Sequence, residues 1–168
     1  RQILGRLGEP APLPTLVVDC AYAALRLSGS PSLHGPQWDR VWQMFSPNKA
    51  LGLTGVRAAY ALAPLGQAQA VAQLEALAPS WPIGVHGVAL LQAWTQPDVQ
   101  DWLHHSRATL RQWKVRQTEA LGALGWVCLP SDSNFFCAQP LLAPMLDLST
   151  WLERLRTQGI KLRDAASF

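Results

Sequence analysis

The sequence predicts an α/β fold with a mainly parallel sheet, followed by a smaller α+β unit. Three observations predict it. Short β-branched runs alternate with longer stretches of helical period, the order that builds parallel sheets covered by helices. The early strand-like runs are nearly continuous in apolar residues, as strands buried on both faces are. After a long central helical stretch the composition changes, which marks the second unit.

The elements follow in order. Pro10, Pro12 and Pro14 make a linker that ends before Thr15. TLVVDCAY, residues 15–22, is a β-branched run expected to form a buried strand. Residues 28–37 (SGSPSLHGPQ) have loop composition. WDRVWQMFS holds a second buried strand over 40–45. Pro47, Gly52 and Gly55 keep the next stretch irregular, and VRAAYALA, residues 56–63, reads as a third strand. From Gln67 to Ala78 the Ala- and Gln-rich sequence favours a helix, which Pro79 and Pro82 break. Residues 84–94 predict a helix apolar on most sides, hence buried. Pro97 and Asp98 open a long helix reaching about Ala123, with Leu103, Leu110, Trp113 and Leu121 at roughly helical spacing and Gly125 at its end. WVCLP and NFFCAQ are two short strands joined by Ser131-Asp132-Ser133. A helix over 148–158 follows, with Ser149 as its cap, Glu153 in its first turn and Gly159 as its stop. IKLR, residues 160–163, is the expected last strand.

Composition narrows the classes of function. Hydrophobic residues make up 49% and charged residues 15% of 168, against roughly 25% charged in ordinary soluble domains, so disorder is not expected, and the chain is expected to belong to a large enzyme or to bury surface against a partner. The net charge of +3 is spread without a run of like charges, which disfavours nucleic-acid binding. Glu75 is the single charge between Arg57 and Asp98, yet Pro64, Pro79, Pro82, Gly84 and Gly87 break that stretch before about 18 apolar residues accumulate, so no membrane span is expected. Cys20, Cys128 and Cys137 lack metal-ligand spacing and read as buried free thiols of a reducing cytoplasm. His104 and His105 are adjacent on a helix and share no face, which argues against a metal pair. The opening RQILGRLGEPAPLP has no signal-peptide pattern and starts in mid-pattern, as a piece of a longer chain would.

The polar residues of the first three strands fall at strand ends, where α/β folds place ligands. Asp19 ends the first strand and Tyr22 follows; Ser46 ends the second, with Lys49 three residues on; Arg57 opens the third. This constellation resembles the class I/II pyridoxal-phosphate aminotransferases, a fold-type I family. It is most similar to the histidinol-phosphate aminotransferases and their threonine-phosphate decarboxylase cousins. The family's S-x-S/T-K-x-x-G-L-x-G-x-R-x-G-Y stands here as Ser46-Pro47-Asn48-Lys49-Ala50-Leu51-Gly52-Leu53-Thr54-Gly55-Val56-Arg57-Ala58-Ala59-Tyr60. Its V-V-D-E-A-Y stands as Val17-Val18-Asp19-Cys20-Ala21-Tyr22. Ser133-Asn134-Phe135 resembles S-x-x-N-F, and Gly159-Ile160-Lys161-Leu162-Arg163 resembles G-I-x-V-R.

The resemblance implies a role for each match. Lys49 would form a Schiff base with pyridoxal 5′-phosphate and later carry a proton. Asp19 would pair with the ring nitrogen, and Tyr22 with the ring 3′-oxygen. Arg57 and Ser46 would hold the phosphate, Arg57 through its planar fork. Arg163 would meet the acidic end of the substrate. The implied reaction moves an amino group between an amino-acid or amino-phosphate substrate and a 2-oxo acid, in a homodimer. Residues 1–105 would be the later part of the large cofactor domain, and 106–168 the linking helix and first part of the small domain. The glycine-containing phosphate loop, the ring-stacking aromatic residue and the late L-R-I-x-x-G block of the family do not occur, so these residues by themselves are expected to bind the cofactor poorly.

Departures and rivals stand beside this. Cys20 replaces the family's Glu, Asn48 replaces a hydroxyl residue before the lysine, and Ala59 replaces a Gly. Asp19 could be a helix cap, Tyr22 a core tyrosine, and Arg57 or Arg163 a partner of some acid. Ser46-x-x-Lys49 also fits the S-x-x-K of penicillin-binding acyl enzymes, but Gly52 and Gly55 oppose the helix that motif needs. The same Lys, Asp and Arg would serve a decarboxylase of an amino-acid phosphate. A non-catalytic remnant that binds a protein partner is a further alternative.

Overall fold

The computed structural model describes residues 15–141 and 147–165; the linker prolines fall outside them. The chain divides into two compact units between Ala108 and Thr109.

The first unit carries a three-stranded sheet: β1 (Val17–Asp19), β2 (Trp42–Phe45) and β3 (Tyr60–Leu62), in that order. β1 and β2 are parallel, with Val17 opposite Trp42 and Asp19 opposite Met44. The ladder continues past β1 through Cys20 N, which donates to Met44 O at 2.7 Å. β3 runs antiparallel to β2, and Phe45 faces Tyr60 with their rings stacked 5.2 Å apart. All three strands are shorter than the sequence suggests. β1 stops at Asp19 because the chain turns at once, with Ala23 N donating to Cys20 O and Leu25 N to Tyr22 O. Arg40 is not in β2. It ends a 3-10 helix, Gly35–Arg40, that occupies part of the expected loop and has Pro in its first turn. Nor is β1 fully buried, since Val17 and Asp19 are exposed.

Three helices follow: α1 (Ala68–Leu77), α2 (Val85–Trp94) and α3 (Pro97–Ala123). The expectation of a buried α2 fails. Only Gly87 and Leu90 are buried, because a single stripe of the helix is covered, and Val85 and Val88 are exposed. Gly87 marks the covered stripe. A Cβ there would lie 2.6 Å from Ile83 Cγ2 and 2.9 Å from Arg57 O. Leu25, Leu27, Leu33, Val41 and Leu103 are among the buried apolar side chains of this unit.

The second unit holds the end of α3, an antiparallel pair β4 (Val127–Cys128) and β5 (Ala138–Gln139), and α4 (Leu148–Thr157). Gly125 ends α3 at φ 83°. Gly125 N donates to Gly122 O and Trp126 N to Leu121 O, the paired bonds of a Schellman cap. Trp126 packs on Trp151 of α4, ring centroids 5.2 Å apart. Lys114 on α3 donates to Ser131 O, and to Ser133 O at 2.7 Å, and so holds the polar turn between the strands. The cap of α4 is Asp147, not Ser149: its carboxylate accepts from the backbone N–H of Ser149 and Thr150. Asp147 holds the position one residue before the helix, where a side-chain oxygen reaches those donors. IKLR is in neither sheet; its first amide, Ile160 N, donates to Leu155 O and so closes α4 instead of entering a ladder. Cys20 is buried as expected, whereas Cys137 is exposed. Among the described residues no helix is long and apolar enough to cross a membrane.

Candidate functional site

The sheet edge of the first unit collects the polar residues that the sequence singles out. Asp19 is the last residue of β1, and Ser46 immediately follows β2. Both therefore sit at the carboxyl ends of the parallel pair. β3 runs the other way, so its start lies beside the end of β2, with Tyr60 opposite Phe45. Arg57, just ahead of β3, is thereby brought to the same edge. The antiparallel third strand is thus what returns the arginine to the lysine.

Between β2 and Arg57 the chain makes one tight turn. Leu51 N donates to Pro47 O at 3.0 Å, Gly52 N to Lys49 O at 3.3 Å and Leu53 N to Asn48 O at 2.8 Å. The last two bonds are again the Schellman pair, and they need Gly52 at φ 67°. Pro47, Asn48 and Ala50 are buried, while Lys49 stands exposed on the turn. The turn anchors in the unit and presents one amine.

That amine meets Tyr22. Lys49 Nζ donates to Tyr22 Oη at 3.2 Å and lies 4.6 Å from the ring centroid. The two residues come from separate loops, after β1 and after β2, and only the parallel register brings them together. Asp19 Oδ1 accepts from Ala21 N at 2.8 Å, which fixes the carboxylate over the turn after β1. Cys20 behind it points into the core. Burial pushes its thiol pKa up, and the neighbouring Asp19 charge adds to that. Substitution of Glu by Cys here thus keeps a neutral side chain in the core beside Asp19.

Ser46 is drawn inward. Its Oγ lies 2.9 Å from Ala58 O and 2.6 Å from Asn48 Oδ1. Arg57 is exposed, and its backbone carbonyl is the one against which Gly87 of α2 packs. Arg163 lies in the second unit, exposed and on irregular backbone. So the structure gathers Asp19, Tyr22, Ser46, Lys49 and Arg57 on one sheet edge of the first unit. Sequence reasoning missed two supports of that edge. Gly87 carries no chemical signal, being one glycine among twelve. Asn48 did carry one, as an amide where the motif has a hydroxyl.

The donor set fits pyridoxal 5′-phosphate. It offers an amine for the aldehyde, a phenol beside that amine, a carboxylate for the ring nitrogen and a guanidinium for the phosphate.

The chain is 28% identical over 153 residues to a histidinol-phosphate aminotransferase of Haloquadratum walsbyi, covering 91% of this chain and 37% of that protein. It spans well under half the length of that relative. Its fold is similar to that of a decarboxylase from Sulfurospirillum multivorans, with a TM-score of 0.75, 22% identity, and coverage of 97% of this chain and 42% of that one. The family model for aminotransferase class I and II matches residues 15–168, and the chain belongs to that family.

Proposed function

We propose that the protein is a pyridoxal-phosphate-dependent aminotransferase acting on an amino-acid or amino-phosphate substrate of the histidinol-phosphate kind, with a 2-oxo acid as partner. The observation that carries this reading is the Lys49 Nζ to Tyr22 Oη contact of 3.2 Å at the edge where Asp19 ends β1. The likeness to a histidinol-phosphate aminotransferase supports the substrate class.

When bound, pyridoxal phosphate supplies the electron sink that lets the substrate Cα lose its proton. Lys49 would hold the cofactor through its amine and, when that amine is free, would move the proton at the substrate Cα. Tyr22, whose Oη lies 3.2 Å from that amine, would donate to the ring 3′-oxygen. Asp19 pairs with the ring nitrogen and holds its proton by charge. Arg57 grips the phosphate with its fork, joined by the Ser46 hydroxyl. Arg163 gives the substrate's acidic end a fixed positive partner. Residues 1–105 serve the cofactor domain and 106–168 the linking helix and small domain, within a homodimer.

The test is attachment. Full-length protein mixed with pyridoxal phosphate and reduced with borohydride should carry the cofactor on Lys49 and nowhere else. Lys49→Ala should abolish attachment and lower turnover by at least about 10²–10⁴-fold, the usual worth of positioned proton transfer. An intact protein that gives no adduct ends this reading. Carbon dioxide release without 2-oxo-acid-dependent turnover would replace the transferase with a decarboxylase.

A further inference from the structure

Asn48 is a buried polar side chain, 7% exposed, directly before the exposed Lys49. A buried carboxamide has to find hydrogen-bond partners. Its partner here is Ser46 Oγ at 2.6 Å, and that same oxygen lies 2.9 Å from Ala58 O. A hydroxyl has one proton and two lone pairs, so it cannot donate to both neighbours. Ala58 O is a carbonyl and has no proton to give. Both contacts can be hydrogen bonds in one arrangement alone: Ser46 donates to Ala58 O, and the Asn48 carboxamide, turned so that Nδ2 rather than Oδ1 faces Ser46 Oγ, donates to Ser46. The two ends of a carboxamide exchange by a half-turn, which places Nδ2 where this bond needs it.

We infer that Asn48 is a positioning residue that acts through Ser46. Its Nδ2–H holds a lone pair of Ser46 Oγ at the end of β2 and leaves the single hydroxyl proton to swing between Ala58 O and a phosphate oxygen. The inference rests on the cofactor reading above and extends it to a residue that touches no cofactor atom. Donation from Asn48 also polarises the Ser46 O–H and makes it a stronger donor to an anion. Meanwhile the Asn48 backbone carbonyl accepts from Leu53 N at 2.8 Å and closes the turn that carries Lys49. One residue thus orients the hydroxyl on one side and the amine on the other. In a chain with a hydroxyl residue at this position, that side chain could face the phosphate itself. Here the amide faces inward and gives its hydrogen bond to Ser46.

The test is a double-mutant cycle on the full-length protein, read with two probes, pyridoxamine 5′-phosphate and pyridoxamine. They differ only in the phosphate. Asn48→Ala and Ser46→Ala should each weaken the phosphate-bearing probe about tenfold, the scale of one hydrogen bond to a charged group. Pyridoxamine should change by less than about twofold, because the lost bond faces only the phosphate. The double variant should be no worse than either single one, since both remove the same interaction. Equal weakening of both probes by Asn48→Ala would show a merely structural role and overturn the inference. So would a double variant that loses the product of the single effects, about a hundredfold. Should Asn48→Ala not fold, the nearly isosteric Asn48→Asp serves the same cycle, because its carboxylate takes the Ser46 proton away from phosphate. Failure of the unaltered protein to bind either probe would strike the cofactor reading itself; binding that ignores Asn48 strikes only this inference.

Discussion

The Lys49 turn and the end of α4 close on the same backbone device. In the turn, Gly52 N donates to Lys49 O and Leu53 N to Asn48 O. After α4, Gly159 N donates to Arg156 O and Ile160 N to Leu155 O. Both glycines are left-handed, at φ 67° and 80°. Each is followed within a few residues by an arginine, Arg57 in the first case and Arg163 in the second. From there the two regions part. Arg57 leads into β3, its carbonyl lies under Gly87 of α2, and the next carbonyl receives the Ser46 hydroxyl. Arg163 follows on exposed, irregular backbone. The cap ends a helical turn in both places, but it does not aim what comes next. Aim comes from contacts made by residues far away in sequence.

The largest effect should come from overfilling such a contact. Gly87→Val places a branched side chain where even one carbon meets Ile83 Cγ2 at 2.6 Å and Arg57 O at 2.9 Å. The Arg57 carbonyl is backbone and cannot swing aside. Overpacking of this kind costs about 1–3 kcal/mol. The variant should therefore lose stability on that scale in a denaturant titration, and cofactor affinity should fall with it. A midpoint unchanged from the natural protein would mean that α2 does not hold Arg57 in place.

A smaller effect sharpens the comparison directly. Gly52→Ala and Gly159→Ala each force a Cβ into left-handed backbone, at about 1–2 kcal/mol. Neither Cβ would meet any atom within 4 Å, so conformation alone sets the cost, and the two losses should be alike. Their functional consequences should differ. Gly52→Ala should slow borohydride trapping of the cofactor on Lys49, and Gly159→Ala should leave it unchanged. Equal trapping in both variants would mean that the turn does not control how the lysine is presented.

What the sequence revealed follows the same division. The placement of Lys49, Asp19, Tyr22 and Arg57 at strand ends was legible because their spacing is local: a lysine with an arginine eight residues on, and an acid with a tyrosine three residues on. The glycine stops at Gly125 and Gly159 were legible for the same reason, since a cap needs only its own turn. Four features were not. The direction of β3 depends on its pairing with β2, and short apolar runs read alike in either direction. Burial of α2 depends on what covers it, so a sequence apolar on most sides gave too much core. Lys114 reaches carbonyls of a turn that begins 17 residues later, and no spacing rule ties a helix lysine to such a turn. IKLR has the composition of a strand, but a strand exists only with a partner.

The smallest effect belongs to a purely local device in the second unit. Hydrogen bonds hold the Asp147 carboxyl at about 2, below its ordinary 3.8: first from the Ser149 hydroxyl, then from Thr150 N–H, the Thr150 hydroxyl and Ser149 N–H. The folded pKa is depressed, so the ionised group stabilises the start of α4. That contribution is whole above about 3.8 and is lost as pH falls through about 2. A carboxyl resonance followed by NMR should titrate at about 2, and amide exchange at Ser149 and Thr150 should speed up over the same window. Asp147→Asn keeps an oxygen for the backbone donors but removes the charge, so it should abolish the titration while largely preserving the helix. Asp147→Ala should fray the first turn at every pH. Neither variant should disturb cofactor trapping on Lys49, because the cap engages only residues within three of itself. A change in trapping would show that the second unit reaches the lysine through α4. The contrast between a self-contained cap and an arginine held from a distance would then fail.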